Sequence, residues 1–330
     1  FGIDAVVLNN RLTVGLDFYH KYTSDILQQV AYPSTGGVAT SPYQNIGEMQ
    51  NDGVELNANY RNSNKSENFS YDLGLVLGAY RNEVKKLASN QFISNTYTRT
   101  EIGHPISSFY GYIIDGIFQT QEEVDNHAKQ DNKAIGRWIF RDVNKDGTIN
   151  ETDRTYIGSP HPAFEYSLNG RFNYKNFDLA LYIQGTYGND ICFASKIGQE
   201  GTDFWGDYSN KSIRILDTWT ADNRDAELPE INILNPNNES SKITSYLIED
   251  GSYLRLKLIE LGYTLPSTLS SRLGLTRSRV YLNAENLITF TKYNNIDPEV
   301  KNENDLAIGV DNISNMPLAK TFSIGFSLTF

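Results

Sequence analysis

The chain has 330 residues, of which 39% are hydrophobic and 12% aromatic, and its net charge is −11. That acidity excludes binding by phosphate neutralisation, so no nucleic acid is expected as a partner. No apolar run of about 18 residues occurs, which excludes a transmembrane helix, but a transmembrane strand needs only about 9–11 residues with one apolar face.

The opening FGIDAVVLNN has no initiator Met and no basic segment before an apolar one. It reads as a strand over 2–8 of a fragment or processed chain, not as a signal peptide. Alternation of period 2 then recurs along the sequence. A strand over 11–22 puts Leu12, Val14, Leu16 and Phe18 on one face, and one over 50–61 does the same with Val54, Leu56, Ala58 and Tyr60. The next, over 69–83, carries Tyr71, Leu73, Leu75 and Leu77. Strands over 163–173 and 177–189 follow; those over 252–263 and 278–290 alternate less cleanly. The last, over 319–330, sets Phe322, Ile324, Phe326, Leu328 and Phe330 against Ser323, Gly325 and Ser327.

Tight connections at 9–10, 62–68 and 175–176 alternate with long ones over 23–49, 84–162, 190–251 and 291–318. Compact soluble domains rarely carry such loops, whereas outer-membrane barrels pair short periplasmic turns with long extracellular loops. A long bare apolar edge strand would also invite aggregation in water. The expected fold is therefore all-β: part of a transmembrane antiparallel β-barrel, roughly nine strands, with long extracellular loops and a periplasmic C-terminus. Tyr19, Tyr22, Tyr60, Tyr80, Tyr174, Tyr187 and Tyr263 fall near strand ends, as interfacial girdles require.

At this point the residues resemble a known family. IFRDVNKDGTINETDRTYIGSPHPAFEYSLNGRFNYKNFDLALYIQGTYGNDI, YLIEDGSYLRLKLIELGYTLP and RVYLNAENLITFTKYNNIDPEV look like the C-terminal barrel region of SusC/RagA-type TonB-dependent transporters of Bacteroidota. The resemblance runs along essentially the whole chain. It implies an outer-membrane barrel of 22 strands with the C-terminal roughly nine seen here, and a plug and a TonB box absent from these residues. It also implies a SusD-like surface lipoprotein as partner, coupling to the TonB complex, and import of an oligosaccharide, peptide or similar nutrient.

Within the longest connection, DVNKDGTINETD has the spacing of an EF-hand-type Ca2+ loop. Asp142, Asn144, Asp146, Thr148 (through its carbonyl), Asn150 and Asp153 stand at positions 1, 3, 5, 7, 9 and 12, with Gly147 at 6. Asp replaces the usual Glu at 12, and no helices flank the loop, so the expected ion is structural. No catalytic centre is expected. His20, His104, His127 and His161 have no ligand spacing, Cys192 is alone, and no nucleophile elbow or phosphate loop occurs. Trp138, Trp205 and Trp219 suit packing within the loops better than stacking on sugar or partner; the segment 119–130 reads as a short helix capped near Thr120. Two alternatives share these features: a secreted β-rich glycan-binding or hydrolytic module with a dockerin-like calcium loop, and a structural barrel subunit of an outer-membrane complex.

Overall fold

The computed structural model describes residues 1–29, 43–62, 68–87, 92–202, 210–232, 239, 242–272, 274–302, 304–312 and 315–330. Trp205 and most of the turn expected over 62–68 lie outside them. Nine strands form one antiparallel sheet in sequential order. They are β1 (Gly2–Val7), β2 (Leu12–Gln29), β3 (Tyr43–Asn62), β4 (Phe69–Lys86), β5 (Phe164–Tyr174), β6 (Phe177–Tyr187), β7 (Tyr253–Thr264), β8 (Arg277–Thr291) and β9 (Thr321–Thr329).

The register keeps the apolar positions in phase across the sheet. Leu56 lies opposite both Leu16 and Leu77, and Leu168 opposite both Leu75 and Ile183. Leu179 meets Leu261, which meets Leu282, which meets Ile324. A slip of one residue would send each of these side chains to the other face. The opposite face carries Asn57, Asn59, Ser167, Asn169, Glu260, Asn283 and Ser323. On that face Tyr281 lies over Gly325, where a Cβ would meet the ring at 2.2 Å, and Tyr19 covers Gly53 in the same way at 2.3 Å. Tyr19 and Tyr80 therefore belong to the polar face and are not girdle residues. The rings at the short-turn end do cluster: Tyr60 with Tyr71 at 5.9 Å, and Phe177 with Tyr263 at 4.7 Å.

Two features depart from the sequence expectation. Of the connection expected over 23–49, the described residues 23–29 and 43–49 are strand, because β2 and β3 stay paired from Leu12↔Tyr60 to Gln29↔Tyr43. A bulge near Asp25 (φ 57°) and polar residues on both sides hide the alternation, while the backbone ladder continues regardless of side chain. At 18 residues β2 extends roughly 60 Å, about twice a bilayer's hydrocarbon thickness. The untidy alternation of β7 and β8 has a similar cause: the register shifts between Leu256 and Leu258, where Asn286 on β8 has φ 52°.

The packed core is not under the sheet. Apart from Val84, Tyr253 and Ala284, the buried apolar residues among those described lie in the connections. By contrast Leu168, Leu261, Leu282 and Ile324 on the apolar face of the sheet are 43%, 47%, 55% and 61% exposed. The three longest connections after β4 interlock over one end of the sheet. Thr98–Glu101, Ser108–Gly111, Thr155–Gly158 and Phe92–Ser94 form a small sheet within the first. Asp190–Phe193 pairs Ile248–Asp250 on one side and Val310–Asp311 of the last connection on the other. Phe109, Cys192, Ile243, Leu247 and Val310 pack as one cluster drawn from all three connections.

Candidate functional site

This interlocked canopy holds a cavity of about 590 Å3. Its apolar lining comes from Ile114, Ile117, Trp138 and Tyr246, and its charged lining includes Asp115, Lys196, Arg214, Arg224 and Glu227. Buried ion pairs fix its walls. Arg137, 1% exposed, donates from Nε (3.3 Å) and Nη2 (2.5 Å) to the two Glu239 carboxylate oxygens, and the Trp138 N–H donates to the same carboxylate at 3.1 Å. Lys196 lies 2.5 Å from Glu249, donates to the Tyr246 carbonyl at 3.0 Å, and sits over the Tyr246 ring. Such pairs hold geometry because removing one partner strands a buried charge.

The two described tryptophans belong to this framework. Trp138 and Trp219 are 7% and 8% exposed. Their indole N–H groups donate to the Glu227 carbonyl at 3.1 Å and to Gln119 Oε1 at 3.0 Å. The short helix Gln121–Asn126 is capped by Thr120 in a capping box with Glu123, as its sequence signals.

The last connection is tied to the polar face by a clamp that sequence reading missed. Arg255 of β7, 2% exposed, donates to Asp297 at 2.6 Å, to Glu299, and to Thr289 Oγ1 at 2.8 Å. Lys257 adds a 2.9 Å contact to Glu299. Burial pushes the Asp297 carboxyl up, but hydrogen bonds from Arg255 and the backbone N–H groups of Leu318 and Glu299 hold it below its ordinary value. The available signal was a lone Arg inside the apolar strand YLRLKL and the charged DPE after β8.

The six residues predicted to hold a metal fall in one hydrogen-bonded turn. The Asp142 carboxylate accepts from the N–H groups of Lys145 (2.7 Å) and Gly147 (2.8 Å); the latter has φ 82°. Asn144 accepts from Asp146 N–H at 2.9 Å, Asp146 from Thr148 N–H at 2.8 Å, and Asn150 from Thr152 N–H at 2.9 Å. Asp153 is fully buried and joins both ends of the turn, accepting from Val143 N–H at 3.0 Å and Asn150 N–H at 2.8 Å. Asp is a methylene shorter than Glu, and its carboxylate serves the turn's own N–H groups. Among the described residues no group of three or more His, Cys, Asp or Glu is arranged to hold a metal.

The histidines do not converge. His20 pairs with Asp52 on the β2–β3 ribbon, His104 stacks on Tyr156, and His127 lies against Phe118. His161 Nε2 donates to the Ile106 carbonyl at 2.9 Å while Nδ1 accepts from Tyr80 at 3.2 Å. Burial lowers its pKa. Burial also pushes the Cys192 thiol up to about 12, an inert side chain in the canopy core.

No family model matches the chain. Among curated proteins it is 30% identical over its whole length to TonB-dependent receptor P3 of Formosa agariphila, and 29% identical over 99% of its length to TonB-dependent receptor P26 of the same organism. It is 26% identical over its whole length to the TonB-dependent receptor SusC of Bacteroides thetaiotaomicron. Among solved structures, a RagAB peptide transporter superposes over the whole chain with a TM-score of 0.79 and 28% identity. The chain covers 33%, 34% and 31% of the three curated relatives and 34% of the solved one. The expected resemblance to SusC-type TonB-dependent receptors, and the all-β barrel architecture that goes with it, therefore hold along the full chain.

Proposed function

We propose that this SusC-type chain forms part of the barrel wall and the external canopy of an outer-membrane transporter, not of an enzyme. The observation that carries the reading is the inverted distribution of apolar surface: the packed core lies in the loops, while the in-phase apolar face of nine strands is bare. In water that face would be an aggregation surface; against acyl chains it is the stable one. The short-turn end with its aromatic ring pairs and the C-terminus then lie on the periplasmic side, and the canopy lies outside.

The receptor takes up a nutrient, an oligosaccharide, a peptide or a similar compound, in a TonB-dependent manner. A SusD-like lipoprotein closes over the canopy; support comes from the likeness to the RagAB peptide importer, solved in open-open and closed-closed states. Contact with TonB belongs to parts of the receptor beyond these residues. We also propose that the 142–153 turn rearranges to take Ca2+ through Asp142, Asn144, Asp146, the Thr148 carbonyl and Asn150, with Asp153 closing it. An all-oxygen donor set suits this hard cation, and extracellular modules bind it at about 10⁻⁴–10⁻³ M.

The test is fractionation and uptake with the intact receptor. Recovery in the outer membrane, with nutrient uptake abolished by removing TonB, is the expected result. Recovery in the soluble fraction contradicts the reading and favours the secreted-module alternative. For the turn, Asp142→Ala with Asp146→Ala is expected to lower bound Ca2+ and speed proteolysis between 84 and 162; unchanged metal content and cleavage would remove the ion from the account.

A further inference from the structure

We infer that the apolar face of the sheet carries a site for one anionic phospholipid of the periplasmic leaflet, with its phosphate at Lys175 and an acyl chain in a groove below. The inference rests on the reading above that this face meets acyl chains, and adds a resident lipid to it. The groove, of about 360 Å3, crosses the apolar face of β2–β6 near the short-turn end. Its floor is Gly170, which lies opposite Leu73 on β4 and Leu181 on β6, with Leu168 and Phe172 two residues away along β5. A glycine there leaves a dent among four large apolar side chains; a Cβ in its place would meet the Phe172 ring at 3.0 Å. Two observations fit the occupant.

The first is depth. At about 3.3 Å per residue, Gly170 lies roughly 17 Å along the strand from Lys175 in the β5–β6 turn, and one leaflet of hydrocarbon is about 15 Å thick. A headgroup held at that turn therefore lays its acyl chain past Phe172 and over Gly170. Between turn and groove stand Tyr174 and Phe69, paired across β5 and β4, and Tyr71, whose ring centroid is 5.7 Å from that of Phe69. Aromatic rings at this level suit the boundary between headgroup and acyl chain.

The second is charge. The four short connections, 8–11, 63–68, 175–176 and 265–276, carry Arg11, Lys65, Lys175 and Arg272 against one carboxylate, Glu67. This end is therefore positive in a chain whose net charge is −11, and it complements phosphate. Lys175 is the cation placed for the groove. It is exposed, and its Nζ lies 5.3 Å from the Tyr174 ring centroid. Tyr174 shares the alternate positions of β5 with Phe172 and Gly170, so the ammonium sits on the lipid side of the rim. An ammonium at the end of an aliphatic stem laid over an apolar ring is the arrangement by which a lysine reaches a headgroup.

The test is native mass spectrometry of the intact receptor in detergent micelles, with dioleoylphosphatidylglycerol or dioleoylphosphatidylcholine as the probe. The wild type is expected to retain one phosphatidylglycerol, roughly fivefold more tightly than phosphatidylcholine, the ratio that one cation near an anionic lipid supplies. Lys175→Gln is expected to abolish that preference. Gly170→Leu fills the dent and is expected to weaken both lipids about tenfold, the loss of roughly two buried methylenes, with the preference kept. Heat-modifiable migration on a gel shows whether each variant is folded; should Gly170→Leu not fold, Ala58→Leu fills the same groove from β3. Equal retention of the two lipids by the wild type, an unchanged preference in Lys175→Gln, or unchanged retention in the filled groove overturns the site. If the receptor is still recovered in the outer membrane when the site fails in this way, the lipid-facing reading survives and only the resident lipid falls. Recovery in the soluble fraction overturns both.

Discussion

Glu239 receives two hydrogen bonds from Arg137 and one from the Trp138 N–H, with the pair's side chains 2% and 3% exposed. Replacing Glu239 with Ala strands a buried guanidinium, a change that costs about 3–5 kcal/mol. The expected outcome is a canopy digested by protease at a temperature where the wild type resists; equal resistance would show the pair to be dispensable. His161 is the pH-sensitive counterpart. Burial lowers its pKa from the ordinary 6.5, so the folded chain keeps it neutral while the unfolded chain protonates it below that value. Its contribution to stability is therefore intact above pH 6.5 and declines as the pH falls below 6.5 toward the folded value. A protease-resistance titration from pH 7.5 to 5 is expected to slope less in His161→Asn than in the wild type; identical slopes would place the titration elsewhere. Neither residue was legible in the sequence, where Glu239 lies about 100 positions from Arg137 and His161 was one of four scattered histidines.

At the scale of elements, alternation located the nine strands to within a few residues wherever one face is apolar, as Leu12–Phe18 and Phe322–Leu328 illustrate. It failed where alternation and pairing part company. Beyond Phe18 the β2–β3 ribbon continues through His20↔Asp52 and Tyr22↔Gln50, polar on both faces, so the hydrophobic signal ended before the strand did. The β7–β8 bulge disordered the pattern for the opposite reason: pairing persists while the phase shifts. That bulge sits beside the Arg255 clamp, the element holding the last connection over the polar face. Arg255→Met is expected to cost about 3–5 kcal/mol of local stability by leaving Asp297 and Glu299 short of their main cation. Limited proteolysis would then cut first between 292 and 319 with β1–β6 intact. Cleavage elsewhere, or none, would mean that the clamp does not hold this loop.

For the whole molecule, period-2 alternation and the phase of short and long connections were enough to point to a barrel wall, and the sequential order of the nine strands agrees with it. The canopy was legible only as a set of long connections. Its fold depends on pairings between segments far apart in sequence, such as Cys192↔Val310, which no local pattern encodes. The 142–153 turn lies between these cases: its spacing was plain, but the inward use of Asp153 depends on burial. The central claim is that one face of the sheet meets lipid, and the most direct measurement is a spin-label scan over 321–328 of the intact receptor in bilayers. Cys192 is fully buried and gives no competing label site. The account predicts that labels at Phe322, Ile324, Phe326 and Leu328 are reached by dissolved oxygen and shielded from a water-soluble nickel chelate, with Ser323, Gly325 and Ser327 showing the reverse. Nickel access at all eight positions, or no alternation at all, would contradict it.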